Sequence, residues 1–147
     1  MIDLFDDPVL ARLYDFENGG FDQDLPFYLR YLRPRRAPVL ECGAGTGRIA
    51  IALAEAGFRV SAVERSAAML AIAAENATRL SARVLPRIHW LHGDLTRDDV
   101  PGGHQAAIWA FNSLLHVAEP GGQRAALTTV HRALAPGGLL LMELGSP

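Results

Sequence analysis

Short apolar runs alternate with longer amphipathic stretches through most of the chain, from about residue 39 onward. Apolar runs of this length are typical of buried β-strands, whereas the stretches between them repeat their apolar residues at helical spacing. The predicted strands are Val39–Cys42, Phe58–Glu64, Arg87–His92, Ala106–Phe111 and Leu139–Leu144. The predicted helices are Gly47–Ala56, Ser66–Ser81 and Gln123–Leu134, with a short helix near Ser113–Val117. Strands that alternate with helices predict right-handed β-α-β crossovers, so we expect a doubly wound α/β domain with a mostly parallel sheet.

The segment before the first strand has a different pattern, in which two short helices are joined by a glycine turn. The helices are predicted at about Asp7–Phe16 and Asp24–Leu32, with the turn at Gly19 and Gly20. A chain of 147 residues fits one domain. Within that single domain we distinguish a helical leader, residues 1–36, from a core, residues 37–147.

Composition narrows the class of protein but says little about its chemistry. The chain is 50% hydrophobic and 20% charged, which is typical of a soluble globular protein. Its net charge of −2 gives no general attraction to nucleic acid, and no apolar run is long enough to span a membrane. Cys42 is the only cysteine, and all 14 basic residues are arginine. We therefore expect a cytoplasmic protein from a bacterium with a GC-rich genome.

Polar residues follow the predicted strands at one edge of the sheet. The first strand carries Glu41 near its end, the second ends at Glu64, the third is followed by Asp94, and the fourth by Asn112. Ligands of doubly wound sheets bind beyond the carboxyl ends of the strands, where the strand order reverses. The sequence therefore predicts a binding site at this edge.

A loop with three glycines, Gly43, Gly45 and Gly47, joins the first strand to the first core helix. Its glycines alternate, whereas a dinucleotide-binding loop needs G-x-G-x-x-G and would place its third glycine at Arg48. The carboxylate of Glu41 would also repel a pyrophosphate. A zwitterionic amino-acid group suits the loop better, because its ammonium can face Glu41 and its carboxylate can face the helix N-terminus.

The two later acids suit the sugar and the base of a nucleoside. Glu64 can accept hydrogen bonds from both hydroxyls of a ribose, although an ordinary strand-end acid is the alternative. Asp94 can accept the exocyclic N–H of an adenine, with the N–H of Leu95 facing a ring nitrogen; the alternative is a cap for the turn at Leu95 and Thr96. In chain order, Glu41, Glu64 and Asp94 match the amino-acid, ribose and adenine parts of S-adenosylmethionine.

Five segments of the chain resemble the class I S-adenosylmethionine-dependent methyltransferases of the small-molecule type. They are VLECGAGTGRIA, VSAVERSAAML, LHGDL, AFNSLLHV and LAPGGLLLMEL, and together they run from Val39 to Leu144. The segment YDFENGGFDQDLPFYLRYL is similar to the leader of this group. The resemblance implies a Rossmann-like sheet of order 3-2-1-4-5 with helices on both faces. It also implies transfer of a methyl group from S-adenosyl-L-methionine to a small-molecule acceptor.

The resemblance assigns roles to individual positions. The methionine part of the cofactor would be held by Glu41, Gly43 and Gly45, the ribose by Glu64 with Arg65, and the adenine by Asp94 with Leu95. Phe111 and Asn112 would lie along the methionine end, towards the methyl group. Tyr14 would close over the cofactor as part of a leader that serves as a lid, or else it simply packs an amphipathic helix.

The chain departs from this family at its C-terminal end. Family domains have seven strands, of which the last two form an antiparallel hairpin, and this sequence stops just past the fifth predicted strand. We expect a fragment, or a truncated product with uncertain activity of its own. A homodimer that pairs the exposed edges of the fifth strand is the alternative.

The remaining candidates for chemistry are less distinctive. His116 is the candidate general base for a hydroxyl acceptor, although packing against the short helix is the interpretation we favour. His89 and His92 lie on one strand at a spacing that puts them on opposite faces, so no metal site is expected. The basic cluster at residues 30–36 is better explained as a solvated helix end than as a nucleic-acid surface. A nicotinamide-dependent oxidoreductase and a non-catalytic S-adenosylmethionine-binding module are the alternative functions.

Overall fold

The structure is a computed structural model that describes residues 4–36 and 38–145. Its strands are β1 Val39–Cys42, β2 Val60–Glu64, β3 Ile88–His92, β4 His104–Trp109 and β5 Leu134–Met142. Its α-helices are α1 Pro8–Asn18, α2 Leu25–Leu32, α3 Arg48–Glu55, α4 Ala67–Ala77 and α5 Gly122–Ala133. Short 3₁₀ turns cover Leu4–Asp6, Leu85–Arg87 and Ser113–His116. None of the helices in this part of the chain is long and apolar enough to cross a membrane.

The five strands form one parallel sheet in the order β3-β2-β1-β4-β5. This order confirms the predicted topology, in which the chain reverses direction across the sheet between β1 and β4. Val39 of β1 pairs with Val60 of β2 on one side and with Ala106 of β4 on the other. The carboxyl ends of β1, β2 and β4 therefore meet at the reversal point, where a ligand site is expected.

Helices cover both faces of the sheet, as predicted. Alternate residues of a strand point to opposite faces, and β1 follows this rule. Val39 belongs to a buried cluster with residues of α2 and α3, whereas Leu40 and Cys42 pack with residues of α5. By the same alternation Glu41 shares the face of Val39, which explains why a carboxylate at this position is buried.

The leader packs against α4 and against the sheet. Ala11 of α1 is buried with Met69 and Ile72 of α4, and an exposed ion pair joins Arg12 to Glu75 at 2.7 Å. Two leader side chains, Tyr28 and Leu32 of α2, are fully buried in the main core cluster. The cap of α4 is the predicted one, because the Ser66 hydroxyl accepts a hydrogen bond from the Met69 N–H.

The predicted bounds differ from the observed ones at α4, β4 and β5, and α4 ends at Ala77, four residues before the predicted end. The strand β4 ends at Trp109 rather than Phe111, because Phe111 and Asn112 both adopt left-handed backbone conformations. The strand β5 begins at Leu134, where Leu134 pairs with His104 before the register shifts. Its predicted start at Leu139 was too late, because the Pro-Gly-Gly segment at residues 136–138 looks like a loop in the sequence.

Candidate functional site

A cavity of about 280 Å³ lies at the carboxyl ends of the strands, between the core and the leader. Its volume is close to the lower end of the range for small-molecule sites. Ten residues selected from the sequence line it: Tyr14, Glu41, Gly43, Gly45, Glu64, Arg65, Asp94, Leu95, Phe111 and His116. Asn112 is the exception, because it is not part of the cavity wall.

The glycine loop depends on backbone conformations that other residues rarely adopt. Gly43, Gly45 and Gly47 have φ angles of +69°, +56° and +87°. At Gly47 a Cβ atom would also lie 2.7 Å from Cη2 of Trp90, so no side chain fits there. The loop is tied to β2, since the Ala44 N–H donates to the carbonyl of Val63. Gly43 and Gly45 therefore bring bare backbone to the cavity beside the N-terminus of α3, while Gly47 packs against the core behind the loop.

Glu41 is a buried acid without a full set of partners. Its residue is 3% exposed, and Oε2 has no hydrogen-bond partner among residues 4–36 and 38–145. Burial raises the pKa of Glu41 to about 8, although Arg48 and a backbone hydrogen bond from Ala50 act in the opposite direction. A buried, unpaired carboxyl oxygen is costly, and a cationic ligand group in the cavity would satisfy it.

Glu64 is also buried, but its two oxygens are each held by a backbone N–H. Oε2 accepts from Gly45 and Oε1 accepts from Ser66, both at 2.8 Å. Burial raises the pKa of Glu64, and these hydrogen bonds oppose the shift. The backbone of Arg65 also favours the ionised form of this carboxylate. The carboxylate is thus fixed in place beside the glycine loop.

Asp94 caps the turn that follows it, so the alternative interpretation of this residue is present in the structure. Its Oδ1 accepts hydrogen bonds from the backbone N–H of Thr96 at 2.9 Å and from the Thr96 hydroxyl at 2.7 Å. Burial opposes its ionisation, yet these hydrogen bonds and nearby arginines lower the pKa of Asp94. Capping does not remove the residue from the cavity wall, which Asp94 and the buried Leu95 both line.

The chain turns sharply after β4 at Phe111 and Asn112, with φ angles of +56° and +57°. These angles lie in the left-handed backbone region, which non-glycine residues adopt rarely. Such backbone strain is concentrated at functional sites. Residues after β5 hold the corner. The Phe111 N–H donates to Oε2 of Glu143 at 3.4 Å, and Oδ1 of Asn112 accepts from the Gly145 N–H. The Asn112 side chain therefore supports the corner from outside the cavity.

Leader residues form the opposite wall. A Cβ at Gly45 would lie 3.8 Å from Cε1 of Tyr14, so the tyrosine ring covers the glycine loop. The Phe5 ring meets Tyr14 edge-on at 5.9 Å and His116 at 5.1 Å between ring centroids. The carbonyl of Phe5 accepts a hydrogen bond from the Ser66 hydroxyl at 2.7 Å. Phe5 was not selected from the sequence, because it precedes the first predicted helix and belongs to no motif.

Arg48 is the second residue that sequence reasoning missed. Its guanidinium donates to both oxygens of Asp24 at 2.7 Å, and it also donates to the carbonyl of Phe21 at 2.8 Å. It lies over the ring of Phe111 at 4.9 Å. A signal was available, because a cation at the first residue of a helix is unfavourable for the helix dipole and needs an acidic partner.

The other candidate residues lie outside the cavity wall. His89 and His92 are exposed on β3, and His92 interacts through Nε2 with the carbonyl of Arg65 at 2.9 Å. Cys42 is fully buried against α5, and burial raises the pKa of its thiol, which makes it a poor nucleophile. Within the described ranges, no group of three or more His, Cys, Asp or Glu side chains has the geometry of a metal site.

Comparison with known proteins shows that the chain is similar to methyltransferases. A family model described as "Methyltransferase domain" matches residues 39–138. A glycine/sarcosine N-methyltransferase from Halorhodospira halochloris is 33% identical over 122 residues, which cover 80% of this chain and 43% of the relative. A putative methyltransferase from Bacillus subtilis, YqeM, is 28% identical over 138 residues, 92% of this chain and 54% of the relative. The chain thus spans about half the length of four of these curated relatives and 22% of a fifth, from Actinopolyspora halophila.

Solved structures give the same result for the fold. The CcbJ methyltransferase from Streptomyces caelestis superposes with a TM-score of 0.78 at 28% identity, over 90% of this chain and 54% of that protein. The glycopeptide N-methyltransferase MtfA, in complex with S-adenosyl-L-methionine, has a TM-score of 0.72 at 25% identity, over 82% of this chain and 50% of that protein.

Proposed function

The chain belongs to the methyltransferase domain family, and on that basis we propose that it binds S-adenosyl-L-methionine and methylates a small-molecule acceptor. The observation that carries the proposal is the buried carboxyl of Glu41, which lines the cavity with one oxygen unpartnered among the described residues. The ammonium of the cofactor's amino-acid end would satisfy this oxygen. The positive end of α3 would face the carboxylate of the same group.

The other acids suit the rest of the cofactor. Glu64 is held by the backbone N–H groups of Gly45 and Ser66 and would accept hydrogen bonds from the ribose hydroxyls. The second oxygen of Asp94, Oδ2, lies 3.6 Å from Nε of Arg97 and would accept the adenine amino group. Gly43 and Arg65 complete the set proposed for the methionine and ribose parts.

The cofactor supplies a methyl group on a sulfonium, so the protein's contribution is alignment of the acceptor and exclusion of water. Tyr14, Phe5 and Phe111 would exclude water, because their rings line the cavity. The ring of His116 packs edge-on against the ring of Phe5, which supports a packing role for this histidine. We therefore assign no general base.

An amine is the acceptor class that we propose. Several relatives are named as N-methyltransferases, including the glycine/sarcosine enzymes and the glycopeptide enzyme. A neutral amine needs no general base to accept a methyl group, which agrees with the absence of one in the proposed roles. We also propose a bacterial protein, because the relatives named above come from bacteria, and a cytoplasmic one, because its only cysteine is a free thiol. If two copies associate, the β5 edge is the place where they would pair.

Calorimetry with S-adenosylhomocysteine and NAD, run side by side, tests the cofactor. The proposal predicts binding of the nucleoside and none of NAD; the reverse result would overturn it. Transfer of labelled methyl groups to glycine, sarcosine and a matched hydroxy acid then tests the reaction. Label in the amines alone supports the amine class. Nucleoside binding without transfer to any acceptor would favour the non-catalytic binding module.

A further inference from the structure

Arg48 joins α3, the leader and the corner after β4. It lines the cavity next to the glycine loop, in the part proposed to hold the methionine end of the cofactor, called here the methionine half. It is the first residue of α3, and it holds the leader through Asp24 and the carbonyl of Phe21. Its guanidinium also lies between two aromatic rings, 5.3 Å from the centroid of Phe21 in the leader and 4.9 Å from that of Phe111 after β4. The two rings meet edge-on at 5.4 Å.

The ion pair of Arg48 and Asp24 differs from that of Arg12 and Glu75, which also joins the leader to the core. The side chains of Arg48 and Asp24 are 13% and 12% exposed, whereas those of Arg12 and Glu75 are 57% and 59% exposed. A desolvated, bidentate pair has a strong preference for one geometry, while an exposed pair is screened by water and contributes little. Arg48 lines the cavity, and Arg12 does not. The Arg48 pair is therefore the one that can fix the leader relative to a bound ligand.

We infer that Arg48 is a positioning residue that latches the leader across the methionine half of the cavity, so that leader closure and cofactor affinity both depend on it. The part about cofactor affinity rests on the proposed function. Closure of the leader requires the fork of the guanidinium, that is, its two N–H donors side by side, and not its positive charge alone. A lysine at this position could not donate to both oxygens of Asp24 while stacking on the ring of Phe111.

The latch is tested first without ligand, by hydrogen exchange of the leader amides at residues 8–24. Arg48→Lys and Asp24→Asn are expected to speed exchange in the leader by at least about tenfold and to leave the strands protected. The double variant should exchange no faster than the faster single variant, because the two side chains act together. Unchanged leader exchange in Arg48→Lys would overturn the latch. Faster exchange throughout the sheet would overturn it too, since it would assign Arg48 a general structural role.

Titration with S-adenosylhomocysteine then tests the dependence of affinity. Arg48→Lys is expected to weaken binding by about tenfold, and the matched control Arg12→Gln by less than about twofold. Equal losses in these two variants would contradict the proposal. If the unaltered chain does not bind the nucleoside, the proposed function fails, while the exchange experiment still decides whether the latch exists.

A pH profile of the same titration separates the fork from the charge. The charged or titratable groups around Glu41 are those of Arg48, Tyr14, Glu64, Asp24 and Cys42. Affinity for the nucleoside should rise with pH as Glu41 loses the proton that opposes binding of the ammonium. Arg48→Gln removes a cation that favours this loss and should move the rise to higher pH by more than Arg48→Lys, which keeps the charge. Equal displacement in the two variants would contradict an effect of the Arg48 charge on Glu41.

Discussion

Two buried carboxyl groups, those of Glu41 and Glu64, are treated differently by the same fold. Both lie at strand ends beside the glycine loop, and both residues are less than one tenth exposed. Glu64 receives a backbone N–H at each oxygen, whereas Oε2 of Glu41 receives none from residues 4–36 and 38–145. Glu64 is therefore ready to accept neutral donors such as hydroxyls, and Glu41 is better suited to a cation.

Glu64→Gln tests the proposed ribose contact with little change in volume. The substitution replaces one carboxylate oxygen with an NH2 group, which can only donate hydrogen bonds. That NH2 group would face a donor, either the N–H of Gly45 or Ser66 or a ribose hydroxyl. A hydrogen bond to a charged group contributes roughly 1.5–3 kcal/mol, so nucleoside affinity should fall by about tenfold to a hundredfold. Titration calorimetry measures it, with Glu75→Gln on the exposed face of α4 as the control. Equal affinity in both variants would remove Glu64 from the site.

Glu41 should make the stability of the protein depend on pH. Its folded pKa of about 8 lies above its ordinary value of 4.5, so between these values the folded protein retains a proton that the unfolded chain has lost. The contribution of Glu41 to the free energy of unfolding is greatest below pH 4.5 and falls as pH rises to about 8. Urea unfolding at pH 5.5 and 8.5 should show this loss in the natural chain and less of it in Glu41→Gln. Parallel profiles for the two proteins would count against the burial effect.

The acids of the site could be predicted because strand ends can be located from hydrophobic runs. Arg48 and Phe5 could not, since their positions depend on where the leader folds back onto the core. That contact joins residues far apart in sequence; the cation at the start of α3 indicates an acidic partner for Arg48 but not which one. Asn112 differs in another respect. Its place beside the site was predicted, but its side chain turns to Gly145, a direction that the left-handed backbone sets.

At the scale of elements, the glycine loop keeps its shape because two helices, α3 and α4, and one strand, β3, pack around Gly47. Its absent Cβ leaves room for Trp90 of β3 at 2.7 Å and for Ala73 of α4 at 3.2 Å. Any enlargement at Gly47 must separate α3 from these neighbours. The loop is therefore fixed by packing from behind as well as by any ligand in front.

Gly47→Ala should destabilise the protein more than Gly57→Ala does. Both glycines have positive φ angles, +87° and +103°, so both substitutions impose backbone strain of roughly 1–3 kcal/mol. Only at Gly47 does the added methyl group meet other atoms, because nothing lies within 4 Å of a Cβ at Gly57. Overpacking should add about 1–3 kcal/mol. The midpoints of urea unfolding measure the difference, and equal midpoints would contradict the steric explanation.

Most elements could be predicted to within a few residues, and β1 exactly as observed, because its four residues are buried and flanked by proline and glycine. The exceptions have a common physical cause. Long-range pairing extends β5 back to Leu134 through a segment with proline and glycine, and a strained corner ends β4 early. In both cases tertiary contacts outweigh the local preference of the sequence.

At the scale of the whole molecule, hydrogen bonds and an ion pair join the leader to the core around the cavity. Phe5 is bound to Ser66, Asp15 accepts from Asn76 at 3.0 Å, and Asp24 is paired with Arg48. A ligand enclosed by both parts should stabilise the entire fold against unfolding.

S-Adenosylhomocysteine at a hundred times its Kd should therefore stabilise the folded state by about 2.7 kcal/mol. For a domain of this size the melting temperature should rise by roughly 5–10 °C. A thermal melt followed by circular dichroism gives the shift, and Glu64→Gln at the same ligand concentration should show a smaller one. An equal shift with NAD would contradict the specificity of the effect.

The corner at Phe111 and Asn112 has a mechanical consequence. Left-handed backbone costs a residue such as Phe111 roughly 1–2 kcal/mol, and contacts with Glu143 and Gly145, which follow β5, hold the corner in this conformation. We expect that loss of the Glu143 contact lets the corner relax and shifts the Phe111 ring against Arg48 and Phe21. The ring resonances of Phe111 in a Glu143→Gln variant would report this shift. Such a shift would mean that the residues after β5, at the edge of the sheet, influence the shape of the cavity.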